Sequence, residues 1–406
     1  MLDALWLFAL AVLDMLGLWF HVVQLTLAIT LALLISASLV VTRRWCLAGV
    51  TYRRVLSDHQ ADFGEQVTLS VEVCNLKPLP MAWLHISDNV PATLPIEGGL
   101  LRPEQPSSYR YLLTVLAMLP YEGVVRQMRV RCLHRGEHTF GHAYVESGDY
   151  LGLVRHGFLD PKVERLLVLP KILPLIIERT LAPPNFGNRA ARHPFLTDPL
   201  RIIGAREYTP TDPFRMIDWR ATARAAKLMV RQLEPSLTPV LDLVIDVTGP
   251  GDIWRAEDSD EVEFAISIAA SVAAHALASG WAVGVRSNGT VYGAPLDIAA
   301  ARSPAQLSRI ILALTRLVAR PGLAIGTLLR RHARAGGDAL LLLVTAALTP
   351  ACIEAAQTCR RHRRFVRILH AANALSGGGG ALAGIQSWTV PYEPQWWERE
   401  ALVIRG

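Results

Sequence analysis

Recognition of a partner or an anion needs cations held in register and flat apolar surface beside them. Residues 206–234, REYTPTDPFRMIDWRATARAAKLMVRQLE, bring both together in a short space. Asp212 precedes Pro213, an acceptor side chain followed by a ring already set at the first helical φ, and Asp218 repeats the cap before Trp219, Arg220 and an alanine-rich run. Two short helical turns are predicted. On the second, Arg220 and Arg224 stand at i and i+4, so both guanidinium groups leave one face together. From Leu228 the period becomes two, which suits a strand entering the sheet. The stretch reads either as a solvated, salt-bridged connector with Trp219 pinned in the core, or as a partner-binding face made by Arg206, Tyr208, Asp212, Arg215, Asp218, Trp219, Arg220 and Arg224.

Other chemistry-bearing groups are thinner. His134, His138 and His142 are spaced by four, which in a strand is about 13 Å, too far to share one ion; they read as surface histidines. Five cysteines at irregular spacings argue against a disulfide framework. Cys352 and Cys359 lie seven apart in a helical pattern, about 10 Å, so they cannot bridge. The run 377–380 is four glycines without the Lys-Ser/Thr of a phosphate loop. Arginines 330, 331, 334, 360, 361, 363, 364 and 367 form basic stretches, but without interleaved aromatics they suit solvated helix faces rather than nucleic acid. No nucleophile elbow, paired catalytic carboxylates or Cys/His dyad at a motif spacing is present, which favours a non-enzyme. The alternative is a membrane-associated hydrolase or transferase using Asp246 with the Asp212 and Asp218 carboxylates.

The elements that must position these groups fall into three parts. Residues 1–42 contain no Lys or Arg, and only Asp3 and Asp14 interrupt an apolar run too long for one perpendicular span. A hairpin fits: a short helix over 2–16, a turn over 17–21 that places Asp14 at the far interface, and a full span over 22–41. The bilayer is therefore an expected partner through residues 2–42. Arg43, Arg44, Arg53 and Arg54 follow, and positive flanks stay cytoplasmic, so the soluble part is expected on the cytoplasmic side of a bacterial inner membrane. A cleaved signal would carry its positive charge before the apolar run.

Residues 52–170 alternate with period two, as in Val67, Leu69, Val71 and Val73 against Thr68, Ser70, Glu72 and Cys74, and prolines punctuate short strands. An antiparallel, immunoglobulin-like sandwich is predicted. From Val240 strands alternate with helices: strands over 240–247, 281–286, 339–345 and 365–370, helices over 261–279, 304–319, 327–335 and 351–362. That order specifies a doubly wound parallel sheet, with ligands beyond the carboxyl ends of its strands, near 246–252, Thr327 and Thr345-Ala346. The aromatic tail, Trp388, Tyr392, Trp396 and Trp397, is expected on the sheet edge or the β domain.

The order Arg206, Tyr208, Asp212, Arg215, Ile217-Asp218-Trp219-Arg220, Ala223-Arg224 and 228–234 resembles the signature of the domain-of-unknown-function 58 family. Arg135-Gly136 followed by Gly148-Asp149-Tyr150-Leu151-Gly152-Leu153 resembles that family's β domain as well. The resemblance implies a bacterial membrane protein with a von Willebrand factor type A-like domain, a MoxR-type AAA+ ATPase as partner, and a role in assembling or remodelling a membrane or envelope complex. Type A domains hold a divalent ion with an Asp-x-Ser-x-Ser turn, a Thr from a later loop and a further Asp. Here Asp246 and Thr248 match, Thr327 could match the loop Thr, Pro250 replaces the last hydroxyl, and Thr345-Ala346 stands where the final Asp is expected. The site is degenerate, no cofactor is expected, and Mg2+ would need Asp252 as a substitute. The expected architecture is multidomain α+β: a transmembrane hairpin over 1–44, a β-sandwich over 45–180 and a type A-like α/β domain over 181–406.

Overall fold

The computed structural model describes residues 2–20, 23–103, 109–149, 155–177, 197–209, 214, 217–235, 239–249, 259–334, 339–362, 365–372 and 384–404. The chain divides into two compact units, Met1–Lys171 and Ile172–Gly406.

The first unit begins with helices α1 (Leu2–Trp19) and α2 (Val23–Trp45). Their sequences are almost wholly apolar, and within the structure they bury each other only along a narrow seam. At that seam a Cβ on Gly17 would lie 2.7 Å from the Thr26 methyl, so glycine permits the close crossing instead of starting the turn. The turn therefore comes later than expected. Asp14 is accordingly not at the end of its helix: it sits more than one turn inside α1 and accepts a hydrogen bond from Thr30 Oγ1 at 3.0 Å. Val23–Val41 is long and apolar enough to cross a membrane, whereas the apolar part of α1, Leu5–Trp19, is shorter.

Strands β1 (Val50–Leu56), β2 (Gln60–Ala61), β3 (Gln66–Asn75), β4 (Met81–Pro91), β5 (Ile96–Glu97), β6 (Leu100–Pro103), β7 (Tyr109–Met118), β8 (Gly123–Arg131), β9 (Gly136–Phe140), β10 (Ala143–Gly148), β11 (Arg155–Asp160) and β12 (Glu164–Val168) follow. They form sheets in the orders β1-β3-β8-β5 and β11-β10-β4-β7-β6, with a small sheet β2-β12-β9. The period-two pattern does what it specifies: Val67, Leu69, Val71 and Val73 of β3 are buried together with Leu84 and Ile86 of β4, Leu112 of β7 and Met128 and Val130 of β8. Each such side chain contributes about 1.5–3 kcal/mol by leaving water. The surface reading of the histidines needs correction at His138, which is half-buried in β9 with Nε2 2.9 Å from the His134 carbonyl oxygen. Burial lowers its pKa and keeps it neutral.

The second unit contains β13 (Leu175–Ile177), β14 (Thr197–Glu207), α3 (Trp219–Ala225), β15 (Met229–Pro235), β16 (Val240–Asp246), α4 (Asp260–Ala278), β17 (Ala282–Val291), β18 (Ala294–Ala301), α5 (Gln306–Thr315), α6 (Ile325–Arg334), β19 (Leu340–Thr345), α7 (Pro350–His362), β20 (Val366–Ala372), β21 (Gln386–Pro391) and β22 (Leu402–Ile404). Its main sheet has the order β18-β17-β16-β19-β20-β21 and is parallel except for the edge strand β18. Strand β18 was not legible as a strand. It is the return limb of a hairpin whose turn residues, Tyr292 and Gly293, have φ of 51° and 80°, the left-handed pair of a tight hairpin with tyrosine where asparagine is usual. A second correction concerns β15, which pairs antiparallel with β14 in a separate two-stranded sheet and does not enter the main one.

Alternation along β16 sorts its side chains. Val244 joins Ile325 and Leu329 of α6 and Cys352, Ala355 and Cys359 of α7 in one cluster, so Asp242, Val244 and Asp246 face these two helices. Leu241, Leu243 and Ile245 point to the opposite side of the sheet. The aromatic tail closes the far edge: Trp388 lies in β21, and Trp396, 2% exposed, packs 5.2 Å from the Phe264 ring of α4.

Candidate functional site

Two places in the second unit collect the side chains singled out above. The first lies at the carboxyl ends of β16, β17 and β19. Asp246, fully buried, ends β16. Its Oδ1 accepts from Thr248 N at 3.0 Å, Thr248 Oγ1 at 2.6 Å and Asn288 Nδ2 at 2.8 Å, and its Oδ2 accepts from Thr345 Oγ1 at 3.1 Å. Asn288 completes the lock by accepting from Val247 N at 2.9 Å. Thr345 of β19 thus supplies a hydroxyl where the resemblance implied a carboxylate.

In this arrangement the lone pairs of the Asp246 carboxylate are already engaged by neighbouring donors. A hard divalent cation needs several oxygens turned toward it. Here the donors already surround the one carboxylate, and Asn288 turns its amide N–H₂ inward. Thr327 does not join: it lies in α6 and accepts from Arg330 Nη2 at 3.2 Å. Among the described residues no cluster of three His, Cys, Asp or Glu side chains could hold a metal. Pro250 and Asp252 lie outside the described residues. The residues present do not fit the divalent ion of a type A domain.

Burial pushes the Asp246 carboxyl above the usual carboxylate range, opposed by the donors from Thr248, Asn288 and Thr345. Nearby Cys352 is buried too, and burial together with the Asp246 charge raises its thiol to about 12, so no thiolate is available there at neutral pH. Because the folded pKa of Asp246 is raised, its contribution to stability is full below about 3.9, the unfolded value, and is lost as pH rises through the folded value. The Asp246→Asn protein is expected to lack this decline in stability between acid and neutral pH. Thermal melts of both proteins across that range check it, and parallel pH profiles would contradict it.

The sequence did not single out Asn288. Ser287-Asn288-Gly289 looks like a turn, and the strand was expected to stop at Arg286. In the structure β17 runs on to Val291, and a Cβ on Gly289 would meet the Val318 carbonyl at 2.7 Å, so glycine allows a loop to close over the strand end.

The second place is the stretch from Arg206 to Glu234. Arg206 is the penultimate residue of β14, near Tyr208, whose N–H donates to the Leu228 carbonyl at 2.9 Å. Asp218 caps α3 as expected, its Oδ1 accepting from Arg220 N at 3.0 Å and Ala221 N at 3.2 Å. The helix ends at Ala226 with φ 51°. Thr222 Oγ1 accepts from Met229 N at 3.0 Å, and Asp218 N–H donates to the Met229 carbonyl at 2.8 Å, so polar groups strap α3 to β15. No residue of α3 is buried. Of the two readings of Trp219, the one that pins it in the core does not hold: its side chain is 68% exposed, and Phe214 is 74% exposed with its ring 5.6 Å from Tyr208. Arg220 and Arg224 are both exposed. Asp212 and Arg215 lie outside the described residues.

Residues 204–373, which span both places, match the model of the family described as "Protein of unknown function DUF58". That match covers less than half of the chain. A curated relative, "Uncharacterized protein YeaD" of Bacillus subtilis (strain 168), is 24% identical over 242 residues, covering 58% of this chain and 55% of that protein, so the chain spans about half the length of this relative. Outside the DUF58 segment, the CARDB domain of a Pyrococcus furiosus protein overlaps 29% of this chain and 91% of its own, at 12% identity and a TM-score of 0.20. A cohesin module from Clostridium perfringens overlaps 30% and 95%, at 12% identity and a TM-score of 0.21. At such scores neither likeness carries weight, and the sandwich is assigned from its own strand pairing.

Proposed function

We propose that this chain is a membrane-anchored, non-enzymatic adaptor whose DUF58 segment docks a protein partner on the exposed face of α3. The observation that carries the proposal is the exposure of Trp219, 68%, on a helix with no buried residue. Tryptophan and arginine are the side chains most enriched at binding hot spots, and a soluble surface seldom leaves a large indole uncovered without a reason. Arg220 and Arg224 beside it fit a partner surface that is acidic and apolar. The resemblance names the class of that partner, a MoxR-type AAA+ ATPase, and the work, assembly or remodelling of a membrane or envelope complex.

Anchoring would be through α2, with Arg43 and Arg44 in its last turn and Arg53 beyond it keeping the remainder in the cytoplasm of a bacterium. Arg54 is not part of that positive cluster, being buried against Asp88. Because the Asp246 network does not suit a cation, docking is expected to be independent of divalent metal. Affinity capture of the full chain from native membranes should recover an AAA+ ATPase, equally with and without chelator. Recovery should fall at least tenfold for Trp219→Ala combined with Arg220→Glu and Arg224→Glu. Unchanged recovery by that variant, or loss with chelator alone, sinks the reading.

A further inference from the structure

One end of the sandwich lies against the C-terminal end of α2. Two loops meet there, Leu76–Pro80 between β3 and β4, and Leu119–Glu122 between β7 and β8. Both are held rigidly. Buried Asn75 donates through Nδ2 to the carbonyls of Leu79 at 3.0 Å and Leu119 at 2.8 Å, and its N–H donates to the Glu122 carbonyl at 2.8 Å. Leu76 N–H donates to the Gly49 carbonyl at 2.8 Å, and Glu122 Oε2 accepts from Leu119 N at 2.5 Å. Pro78, Pro80 and Pro120 stiffen the same segments.

Lys77, 5% exposed, turns away from solvent and donates to the carbonyls of Trp45, at 2.9 Å, and of Cys46. Those are carbonyls at the C-terminal end of α2, where helix C=O groups lack partners and a cation is favoured. The loops are therefore clamped to the end of α2. They turn outward Leu76 (61% exposed), Leu119 (67%) and Tyr121 (69%), at the end of the sandwich that meets Trp45 (49%). Apolar side chains on ordered loops, all at one end of one sheet pair, form a surface that water does not favour.

The depth of this surface follows from α2. Trp45 lies four residues past Val41, the last residue of the apolar span, so its backbone is about 6 Å beyond the hydrocarbon edge at 1.5 Å per residue. The headgroup layer on each side is about 5–7 Å thick, so this is the level at which Trp and Tyr settle and leucines reach acyl chains. We infer that the Leu76–Pro80 and Leu119–Glu122 loops insert into the interfacial layer of the same bilayer that α2 crosses, fixing the sandwich against the membrane as a second point of attachment. The inference rests on the reading of α2 as a span.

The test uses the full chain in lipid nanodiscs of mixed zwitterionic and anionic lipid, some carrying a nitroxide near the headgroup to report on the loops and some carrying one deep in the acyl chain to report on Leu34. An environment-sensitive fluorescent amino acid is placed singly at Leu76, Leu119, Tyr121, at Leu34 within α2, and at Asp58 at the opposite end of the sandwich. Probes at Leu76, Leu119 and Tyr121 should be quenched several-fold more than the probe at Asp58, with blue-shifted emission. Adding L119D and Y121D should abolish quenching at Leu76 while leaving the thermal melt unchanged. Quenching at Leu34 with none at the loop positions overturns the inference and keeps the span. Absence of quenching at Leu34 as well overturns both. Blue-shifted emission at the loops without lipid quenching assigns the surface to a second copy or a protein partner, and also overturns it.

Discussion

Asp88→Ala is expected to cost the sandwich about 3–5 kcal/mol, the largest loss among the substitutions considered. Asp88 and Arg54 are 1% and 5% exposed and form an ion pair across the two main sheets, from β4 to β1. Tyr52 donates its phenol to Asp88 Oδ2 at 2.7 Å, and Arg54 Nη2 donates to the Lys162 carbonyl at 2.7 Å. The guanidinium also occupies the space where a Cβ on Gly141 would lie, so backbone and side chain have been fitted to it. Removing the carboxylate leaves a buried cation without compensation, and that uncompensated charge, more than the lost attraction, sets the cost. The same logic predicts that Arg54→Met combined with Asp88→Leu recovers most of the loss, since a buried pair exchanged for apolar groups of similar volume is often neutral. Hydrogen exchange of the sandwich strands isolates this unit from the rest of the chain. Equal protection in Asp88→Ala and the parent, or a double variant weaker than either single one, would falsify the argument.

That pair illustrates what could be read from the residues and what could not. Alternation gave β3 and β8 directly, because one face is apolar and the other polar. Arg54 and Asp88 sit in strands of the same kind but break the pattern at inward positions, and only pairing across the sandwich shows that each excuses the other. The membrane-facing arginine cluster lost a member for this reason. In the α/β unit, helices and parallel strands were legible because apolar period and length differ between them. The β18 limb was not, since Tyr292-Gly293 carries the hairpin geometry without the usual residues. At the strand ends, Asp246 and Thr248 were visible as a motif, whereas Asn288 became part of the site only through a strand running past its apparent end. Trp219 could be read either into the core or onto a binding face, because the capping chemistry that starts α3 says where a helix begins and nothing about which side of it is covered.

The second large effect is expected at Asp242, the acid four residues before Asp246 on the same face of β16. Two carboxylates about 13 Å apart in one strand have been given opposite company. Asp246 is held by neutral donors. Asp242, 6% exposed, is held by Arg286, whose Nη1 donates to its Oδ1 at 3.2 Å, and by His332, whose Nε2 lies 2.9 Å from its Oδ2. His332 belongs to α6, so this contact ties the helix to the sheet beside the apolar seats of Ile325 and Leu329. Arg286 keeps a second carboxylate, Asp297 at 2.8 Å, but that side chain is 66% exposed and screened by water. Asp242→Ala should therefore cost less than Asp88→Ala, about 2–3 kcal/mol, because Arg286 retains Asp297 and lies 3.3 Å from His332 Nε2, to which it can donate. The loss should be local first. Exchange in residues 325–334 should accelerate well before that in β16 and β19, whose side chains are fully enclosed by helices on both sides. Asp242→Asn, which keeps an acceptor for His332, should lose roughly half as much. If α6 stays protected in Asp242→Ala while the central strands open, the carboxylate supports the sheet and not the helix, and the tie proposed between them is wrong.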